Sequence, residues 1–489
     1  MTSEKPVSYS EPFEYLKRPR LRNLMAIIGP GAIIASVTIG SGELVWASRG
    51  GAVFGYQLLW CFLFAGIFKF FQVYTAARHI TLTGEHPLSA WAELPGPRLW
   101  FPLLIAIPTI AVMPIAFSGI PEILATYIHK LLGYGLVGDD AVLGPLRWEY
   151  GEFWFNVWGT CVLVSCMTMA LASNQQLVER VSTVMLGILL VCVIASVIVC
   201  QPDLIAIVRG MFTPVIPDYQ PWVLEKYSEG FANRSVWLEI AIYLTAVGGG
   251  SFDYIGYVGM LREKRWGLAG GQIATKKSLQ GLSSEEIAKA KMWTRAALFD
   301  TSISFFFVIL VTLLFAILGA AMLHERHLIP TNADMLSAQE SYLTAINDNL
   351  KWVYRVGVFL AFFGTIYGAF EVYYNTFAEA GRSIAPRTFE RTSPRRIRLT
   401  IYAYCFFGGL IMMWLPKSIA GNIVDRMTFG AVVAGAPLCG LWCFAMLWTD
   451  RSRLPKSLQM RPALYITVAI AGVVMFGLGL WSIIVYFRS

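Results

Sequence analysis

The sequence predicts an all-α polytopic membrane protein with eleven transmembrane helices, and three observations support this class. The chain has 489 residues, of which 56% are hydrophobic and only 14% are charged, so it is more apolar than a soluble globular protein. Apolar runs of about 20 residues, the length that spans a bilayer, recur from one end of the chain to the other. Lysine and arginine concentrate in alternate connecting loops, as orientation in a membrane requires.

The apolar runs define the elements in chain order. They predict helices at 24–49, 52–80, 100–128, 153–172, 176–200, 236–262, 295–323, 350–380, 399–416, 422–449 and 464–487. The chain then divides into a cytoplasmic N-terminal tail (1–23), helices one to five (24–200), an extracellular loop (201–235), helices six to ten (236–449), and helix eleven with the C-terminus (450–489).

The basic residues orient these helices. Lysines and arginines cluster at 17–22, 262–291, 382–398 and 451–461, whereas the opposite loops are poorer in positive charge and richer in acidic residues. Because positively charged loops stay in the cytoplasm, we expect the N-terminus inside and the C-terminus outside a plasma or inner cell membrane. The same distribution explains the net charge of +8 without a nucleic-acid partner.

Two predicted helices are interrupted by glycine. Helix one contains Val37-Thr38-Ile39-Gly40-Ser41-Gly42-Glu43-Leu44, and helix six contains Thr245-Ala246-Val247-Gly248-Gly249-Gly250-Ser251-Phe252-Asp253-Tyr254. Backbone that is not helical at membrane depth is tolerated only where it lines a cavity or meets a ligand. Breaks at matching places in two groups of five helices indicate inverted repeats, helices one to five and six to ten, with a binding site between them.

Each break carries a carboxylate, Glu43 in helix one and Asp253 in helix six. Carboxylates inside a membrane are costly and usually functional. Structural alternatives stay open, because Glu43 is also placed to pair with Lys69 or Arg49, and Asp253 to cap the second half of helix six. The predicted substrate-binding residues are Gly40, Ser41, Gly42, Glu43, Gly249, Gly250, Ser251 and Asp253.

Four further residues are candidates for ion coupling or for contacts around the site. Thr38 and Thr245 carry hydroxyl oxygens, which suit hard cations such as Na⁺ or Mg²⁺. Glu371 and Asn375 are spaced to share a face of helix eight, where Glu371 is equally compatible with a functional role and with a salt bridge.

Three segments near the beginning of the chain form a recognisable pattern: Gly29-Pro30-Gly31, the run Gly50-Gly51-Ala52-Val53-Phe54-Gly55-Tyr56-Gln57-Leu58-Leu59-Trp60, and Thr83-Gly84 after the second helix. This pattern resembles the Nramp family of divalent-metal transporters. It implies the leucine-transporter-type fold of the amino acid-polyamine-organocation superfamily. It also implies alternating access, in which one helix bundle rocks against the other.

The resemblance ends at the family's ligand positions. Where the family has Asp-Pro-Gly-Asn in helix one and Met-Pro-His in helix six, this chain has Gly40-Ser41-Gly42-Glu43 and Gly249-Gly250-Ser251. The usual metal-binding motifs are therefore missing, which leaves Glu43 and Asp253 as the candidate metal ligands. Gly40-Ser41-Gly42 and Ser251-Phe252-Asp253 are instead similar to motifs of amino acid-polyamine-organocation transporters, in which exposed half-helix amides can hold a carboxylate.

These observations predict an Nramp-related secondary active transporter. The missing ligands favour a small organic, amino-acid-like solute over Mn²⁺ or Fe²⁺; the alternative is a hard divalent cation, Mg²⁺ or Mn²⁺, held by Glu43 and Asp253. We expect no cofactor, H⁺ or Na⁺ as the coupling ion, and a monomer surrounded by membrane lipid. No nucleophile-and-base pair or phosphate loop is found, so we expect no enzymatic activity.

Overall fold

The computed structural model of the protein describes residues 7–17, 40, 42–132, 142–143, 148–172, 175–331 and 334–488. The first part of predicted helix one, with Thr38, and Ser41 in its break lie outside the described residues. The other predicted transmembrane segments lie within them.

The long helices follow the predicted spans, so we number them α1 to α11, with a and b for the halves of a broken helix. A π-helical turn at Gly42–Ala47 leads into the first. The bounds are Ser48–Phe54 (α1), Leu59–Thr83 (α2), Trp100–Leu131 (α3), Tyr150–Leu171 (α4), Gln175–Cys200 (α5), Val236–Ala246 (α6a), Ser251–Lys264 (α6b), Ser284–Leu318 (α7), Leu350–Ile384 (α8), Pro394–Trp414 (α9), Ile423–Ala434 (α10a), Ala436–Arg453 (α10b) and Pro462–Tyr486 (α11).

Shorter elements lie in the connections. A two-residue antiparallel pair, β1 (Val142–Leu143) and β2 (Trp148–Glu149), precedes α4. A second π-helical turn, Gly319–His324, extends α7. Three-residue 3₁₀ turns lie at Trp91–Glu93, Ser337–Gln339 and Lys456–Leu458. The short helices are Glu14–Lys17, Pro87–Ala90, Leu204–Phe212, Pro221–Lys226, Ser228–Phe231, Lys276–Gln280, Glu340–Thr344, Pro386–Arg391 and Lys417–Ala420.

The helices have the length and composition of membrane spans. In the described part of the chain, eight are long and apolar enough to cross a membrane, or nine if the bent pair Gly187–Cys200 and Leu204–Phe212 is one span. The predicted all-helical membrane fold is thus confirmed. The count of eleven stays a prediction, because α1 is described only from its break onward and α6 consists of two short halves.

Helix ends follow from local sequence. Helix α2 stops at Gly84, whose φ of 70° is a left-handed conformation that glycine adopts without strain. Helix α7 begins at Ser284, before the predicted start at 295, because the hydroxyl of Ser283 accepts the N–H of Glu286 at 3.2 Å and caps it.

Two glycines bring α1 against α7. A Cβ at Gly51 would lie 1.9 Å from the carbonyl oxygen of Ala316, and a Cβ at Gly319 would lie 2.2 Å from the carbonyl oxygen of Ser48. Any larger side chain at either position would separate the two backbones. The Gly50-Gly51 pair of the sequence is therefore a packing surface that holds the helix carrying Glu43 in place.

Candidate functional site

The centre of the molecule is the break in helix six, between Ala246 at the end of α6a and Ser251 at the start of α6b. Gly248 and Gly249 have φ of 70° and 87°, a region that other residues rarely adopt. The glycine run therefore interrupts the helix. The interruption leaves carbonyls at the end of α6a and amides at the start of α6b without partners inside the helix.

Lys69 of α2 satisfies the carbonyls. Its side chain is fully buried, and its Nζ donates to the carbonyl oxygens of Thr245, Val247 and Gly249 at 2.9, 2.7 and 2.5 Å. An ammonium group has three donors, so all of them are used at the break. The hypothesis that Lys69 pairs directly with Glu43 is therefore not what the structure shows.

Glu43 joins the turn before α1 to the break in helix six. It lies in the turn Gly42–Ala47, is fully buried, and its Oε1 accepts the N–H of Gly248 at 2.9 Å. Its Oε2 has no hydrogen-bond partner among the described residues. The alternative pairing with Arg49 is also not observed, because the guanidinium of Arg49 lies 3.3 Å from Glu239 instead.

Asp253 lies in the first turn of α6b and is 4% exposed. Its Oδ2 accepts the N–H of Gly250 at 2.7 Å, so the capping role considered for it is present. Its carboxylate also bonds with the hydroxyl of Tyr373 on α8. The carboxylate thus has a structural bond and still borders the cavity described next.

A cavity of about 130 Å³ lies beside the two breaks. Its wall combines the helix-six break, the turn before α1, and faces of α3, α8 and α10a. It is lined by Gly42, Trp46, Ala116, Ile120, Ile242, Thr245, Ala246, Gly249, Gly250, Phe252, Asp253, Thr365, Ala369, Tyr373, Met427 and Ala431. The volume accommodates either a small ion with some of its water or a small organic molecule.

Of the predicted substrate-binding residues, Gly42, Gly249, Gly250 and Asp253 line this cavity, and so does Thr245. Gly40 lies just outside the lining, where a Cβ would come within 2.0 Å of the Thr365 hydroxyl. Glu43 also lies behind the wall, because its carboxylate turns to the amide of Gly248.

Three of the predicted site residues lie outside the lining of the cavity. The hydroxyl of Ser251 points away from the cavity, 3.4 Å from Gln72 Nε2 and 3.4 Å from Cys439 Sγ. Glu371 accepts from the Tyr402 hydroxyl at 2.7 Å and lies 3.6 Å from Arg398, so its salt-bridge alternative holds. Asn375 donates to the carbonyl of Glu371 at 3.0 Å.

The periodicity of the helix explains why Glu371 and Asn375 lie away from the cavity. Residues two apart on a helix differ by about 200°, so positions 371 and 375 face away from 369 and 373. The sequence interpretation missed the face of α8 that borders the cavity, which is formed by Thr365, Ala369 and Tyr373. Their spacing of four residues, with a small residue in the middle, is the signal that marked this face.

Comparison with known proteins is consistent with this architecture. The family model described as natural resistance-associated macrophage protein-like (Nramp) matches residues 31–226. A divalent metal cation transporter MntH of Listeria welshimeri is 26% identical over 192 residues, which are 39% of this chain and 38% of that protein. The metal transporter NRAT1 of Oryza sativa is 24% identical over 221 residues, 43% of this chain and 35% of that protein.

The first part of the chain is thus similar to the Nramp family. The match spans less than half the length of the curated relatives. The fold is similar along the whole chain to the manganese transporter of Eremococcus coleocola, solved in complex with an aromatic bis-isothiourea compound, with a TM-score of 0.59, 14% identity and coverage of 99% of this chain and 90% of that one. The predicted fold is therefore confirmed, and the predicted resemblance to the Nramp family is found over residues 31–226.

Charged contacts lie on one side of the cavity. Arg234 bonds to Glu239 of α6a at 2.6 Å and reaches Asp425 and Thr428 of α10a at 3.4 and 2.6 Å. Arg49 joins the same carboxylate from α1. These contacts tie three helices together beyond the cavity.

A second set of contacts lies on the other side. Arg262 at the end of α6b bonds to Glu379 of α8 at 2.9 Å and to the carbonyl of Gly84 at 3.2 Å. Nearby, His86 bonds to the carbonyl of Ile255 at 3.2 Å. Charged or polar bonds thus connect the broken helix to its surroundings on both sides of the cavity.

A further ion pair, between Glu122 of α3 and Arg426 of α10a, is buried. In the described part of the chain, no three His, Cys, Asp or Glu side chains come together as a metal cluster.

Proposed function

We propose that this Nramp-related protein moves a divalent metal cation across a membrane by alternating access, with the cavity at the helix-six break as its binding site. The observation that carries the proposal is the carboxylate of Asp253 on the wall of a buried cavity between two broken helices. The matched relatives are named as metal transporters, which supports the same class of cargo.

The cavity offers ligands of two kinds. Oxygen comes from the carboxylate of Asp253 and the hydroxyl of Thr245, and oxygen suits hard cations such as Mg²⁺. The thioether of Met427 on α10a lines the same cavity, and thioethers favour softer transition metals. Loss of the usual helix-six methionine therefore does not remove sulfur from the site, because α10a supplies one.

Charge balance also favours a cation. Two buried carboxylates, Glu43 and Asp253, lie within electrostatic range of one buried ammonium, Lys69. With all three ionised the cluster has one negative charge in excess, and a buried excess charge is unfavourable without a partner. An incoming cation supplies that partner, and a proton on Glu43 is the corresponding neutralising charge when the cavity is empty. Of the two predicted coupling ions, we therefore propose H⁺, with Glu43 as its carrier.

The predicted amino-acid-like cargo finds no support in the comparisons. The geometry also disfavours it, because a substrate carboxylate needs free amides at the break. The amides of Gly248 and Gly250 are already bonded to Glu43 and Asp253. At the helix-six break, the chain's own carboxylates therefore occupy two of the amides that a substrate carboxylate would need.

The proposed orientation in the membrane rests on the positive charge of the loops, and the proposed monomer rests on the apolar helix faces. We place the N-terminus in the cytoplasm and the C-terminus outside, and we expect a monomer to be sufficient for transport.

The test is uptake by purified protein in liposomes, with separate arms for Mn²⁺, Mg²⁺ and radiolabelled amino acids. We expect uptake of a divalent cation and at least about a tenfold loss in Asp253→Asn, because asparagine keeps an oxygen for the Gly250 amide but not the charge. Glu371→Gln is the matched control, since this acid lies away from the cavity. Amino-acid uptake without metal uptake, or normal metal transport by Asp253→Asn, would contradict the proposal.

A further inference from the structure

The carbonyl oxygens at the end of α6a form a second feature of the break, beside the cavity. Three of them, from Thr245, Val247 and Gly249, converge on one point, where the Nζ of Lys69 lies 2.5 to 2.9 Å away. The C-terminal end of a helix also carries partial negative charge. Converging carbonyls of this kind are the ligands that protein cation sites use.

Lys69 reaches this point through an apolar environment. It lies on α2 in the run Phe68-Lys69-Phe70-Phe71, and its side chain has no exposed surface. A buried ammonium is stable only with compensation. Its hydrogen bonds all go to the broken helix, and the carboxylates Glu43 and Asp253 act on it through space.

We propose that the carbonyls of Thr245, Val247 and Gly249 form a monovalent-cation site that this chain fills with its own tethered ammonium, Lys69. The break in helix six thus carries a fixed cation that never leaves during the transport cycle. This site does not depend on which cargo enters the cavity.

The ammonium group of Lys69 does more than pack its side chain against apolar neighbours, because it also binds the carbonyls of the break. A methionine would fill a similar volume on α2 without the cost of burying a charge, but it would remove the donor of the Thr245 and Val247 carbonyls and leave that of Gly249 with only the Tyr254 hydroxyl at 3.4 Å. A cation is therefore what the break requires. If the tethered cation is removed and space is left, a free cation of similar size should enter.

The experiment measures thermal unfolding of purified Lys69→Ala and Lys69→Met in choline chloride, sodium chloride and ethylammonium chloride at equal concentration, without divalent metal. Alanine leaves room for a free cation, whereas methionine fills the space. Both variants should unfold at least about 3 °C below the native protein in choline chloride. Sodium or ethylammonium should restore Lys69→Ala in a saturable way, because a ligand that binds only the folded state raises its melting temperature.

The native protein and Lys69→Met are the controls, and each should be equally stable in all three salts. A rise of the same size in all three proteins would show a general salt effect and overturn the proposal, as would native stability of Lys69→Ala in choline. If Lys69→Ala is not folded in choline, its yield of monodisperse protein becomes the measurement. Recovery in sodium or ethylammonium then supports the site, and equal loss in every salt contradicts it. Because transport is not measured, failure here is separate from failure of the proposed cargo.

Discussion

Glu43 and Gly248 lie 205 residues apart in the sequence and are joined by a hydrogen bond of 2.9 Å from the Gly248 amide to the Glu43 carboxylate. The bond links the turn before α1 to the glycine run of helix six. Any movement of this turn away from the break in helix six must break the hydrogen bond. It therefore ties the buried charge of Glu43 to the geometry of the cavity.

Replacing Glu43 with glutamine should remove the charge of the side chain while its hydrogen bond to the Gly248 amide is kept. Glutamine keeps an oxygen that accepts the Gly248 amide, so we expect Glu43→Gln to fold but to lose at least about tenfold in cation uptake because the buried charge is gone. Glu43→Ala loses the bond as well, and its unfolding free energy should fall by about 1–3 kcal/mol. Liposome uptake and thermal unfolding measure the two effects. Normal uptake by Glu43→Gln would remove Glu43 from the mechanism.

Tyr373 should act through Asp253. Its hydroxyl bonds to the carboxylate, and its ring lines the cavity. Tyr373→Phe keeps the ring but frees the carboxylate, so we expect a several-fold change in the KM for the cation with little change in stability. Tyr374→Phe is the matched control, because the neighbouring ring stacks under Arg398 at 4.7 Å instead. An equal effect in both variants would point to a general change in α8.

Met427 should set the preference between metals. Leucine has a similar volume but no sulfur, so Met427→Leu should lower Mn²⁺ uptake relative to Mg²⁺ uptake. The measurement is competition between the two ions in the same liposomes. An unchanged ratio would show that the thioether does not contact the cation.

Arg234 should hold α10a against α6a. Arg234→Gln removes the ion pairs with Glu239 and Asp425, and we expect faster hydrogen exchange in residues 423–434. The exchange of α9, at residues 394–414, should stay the same and serves as the internal control. Unchanged exchange in α10a would mean that apolar packing alone holds this helix.

His86 should make stability depend on pH. It lies in the connection after α2, where burial lowers its pKa to about 4, with Arg262 and Arg382 lowering it further and Glu379 opposing them. Its Nδ1 accepts the Leu88 amide at 3.1 Å, and its Nε2 bonds to the Ile255 carbonyl, so the ring must be neutral. Unfolded histidine binds a proton below about pH 6.5, so stability present above that pH is lost as the pH falls toward 4.

The pKa difference corresponds to a loss on the order of 3 kcal/mol across that range. His86→Asn keeps a capping oxygen for Leu88 and does not titrate, so it is the control. We expect the difference in melting temperature between native protein and His86→Asn to change between pH 6.5 and pH 4. A constant difference would show that His86 does not bind the proton.

Much of the fold was predictable because its signals are local. Apolar runs located the helices, and the glycines at 40–42 and 248–250 located the two breaks, since a polar interruption at membrane depth is stable only beside a cavity or a ligand. Gly42, Gly249, Gly250 and Asp253 were predicted for the site and line the cavity. The charged contacts of Glu371 were one of two alternatives, and the structure chose the salt bridge.

What the sequence determined by itself was thus the class of the protein, its helices and the location of the two breaks, because these depend on hydropathy and backbone freedom along short stretches. Only the tertiary structure decided which groups the buried charged side chains bind. Lys69 lies 176 to 180 residues from the carbonyls that it bonds, and Glu43 lies 205 residues from its amide. A buried charge takes whichever partner the fold brings within about 3 Å, and spacing along the chain does not carry that information.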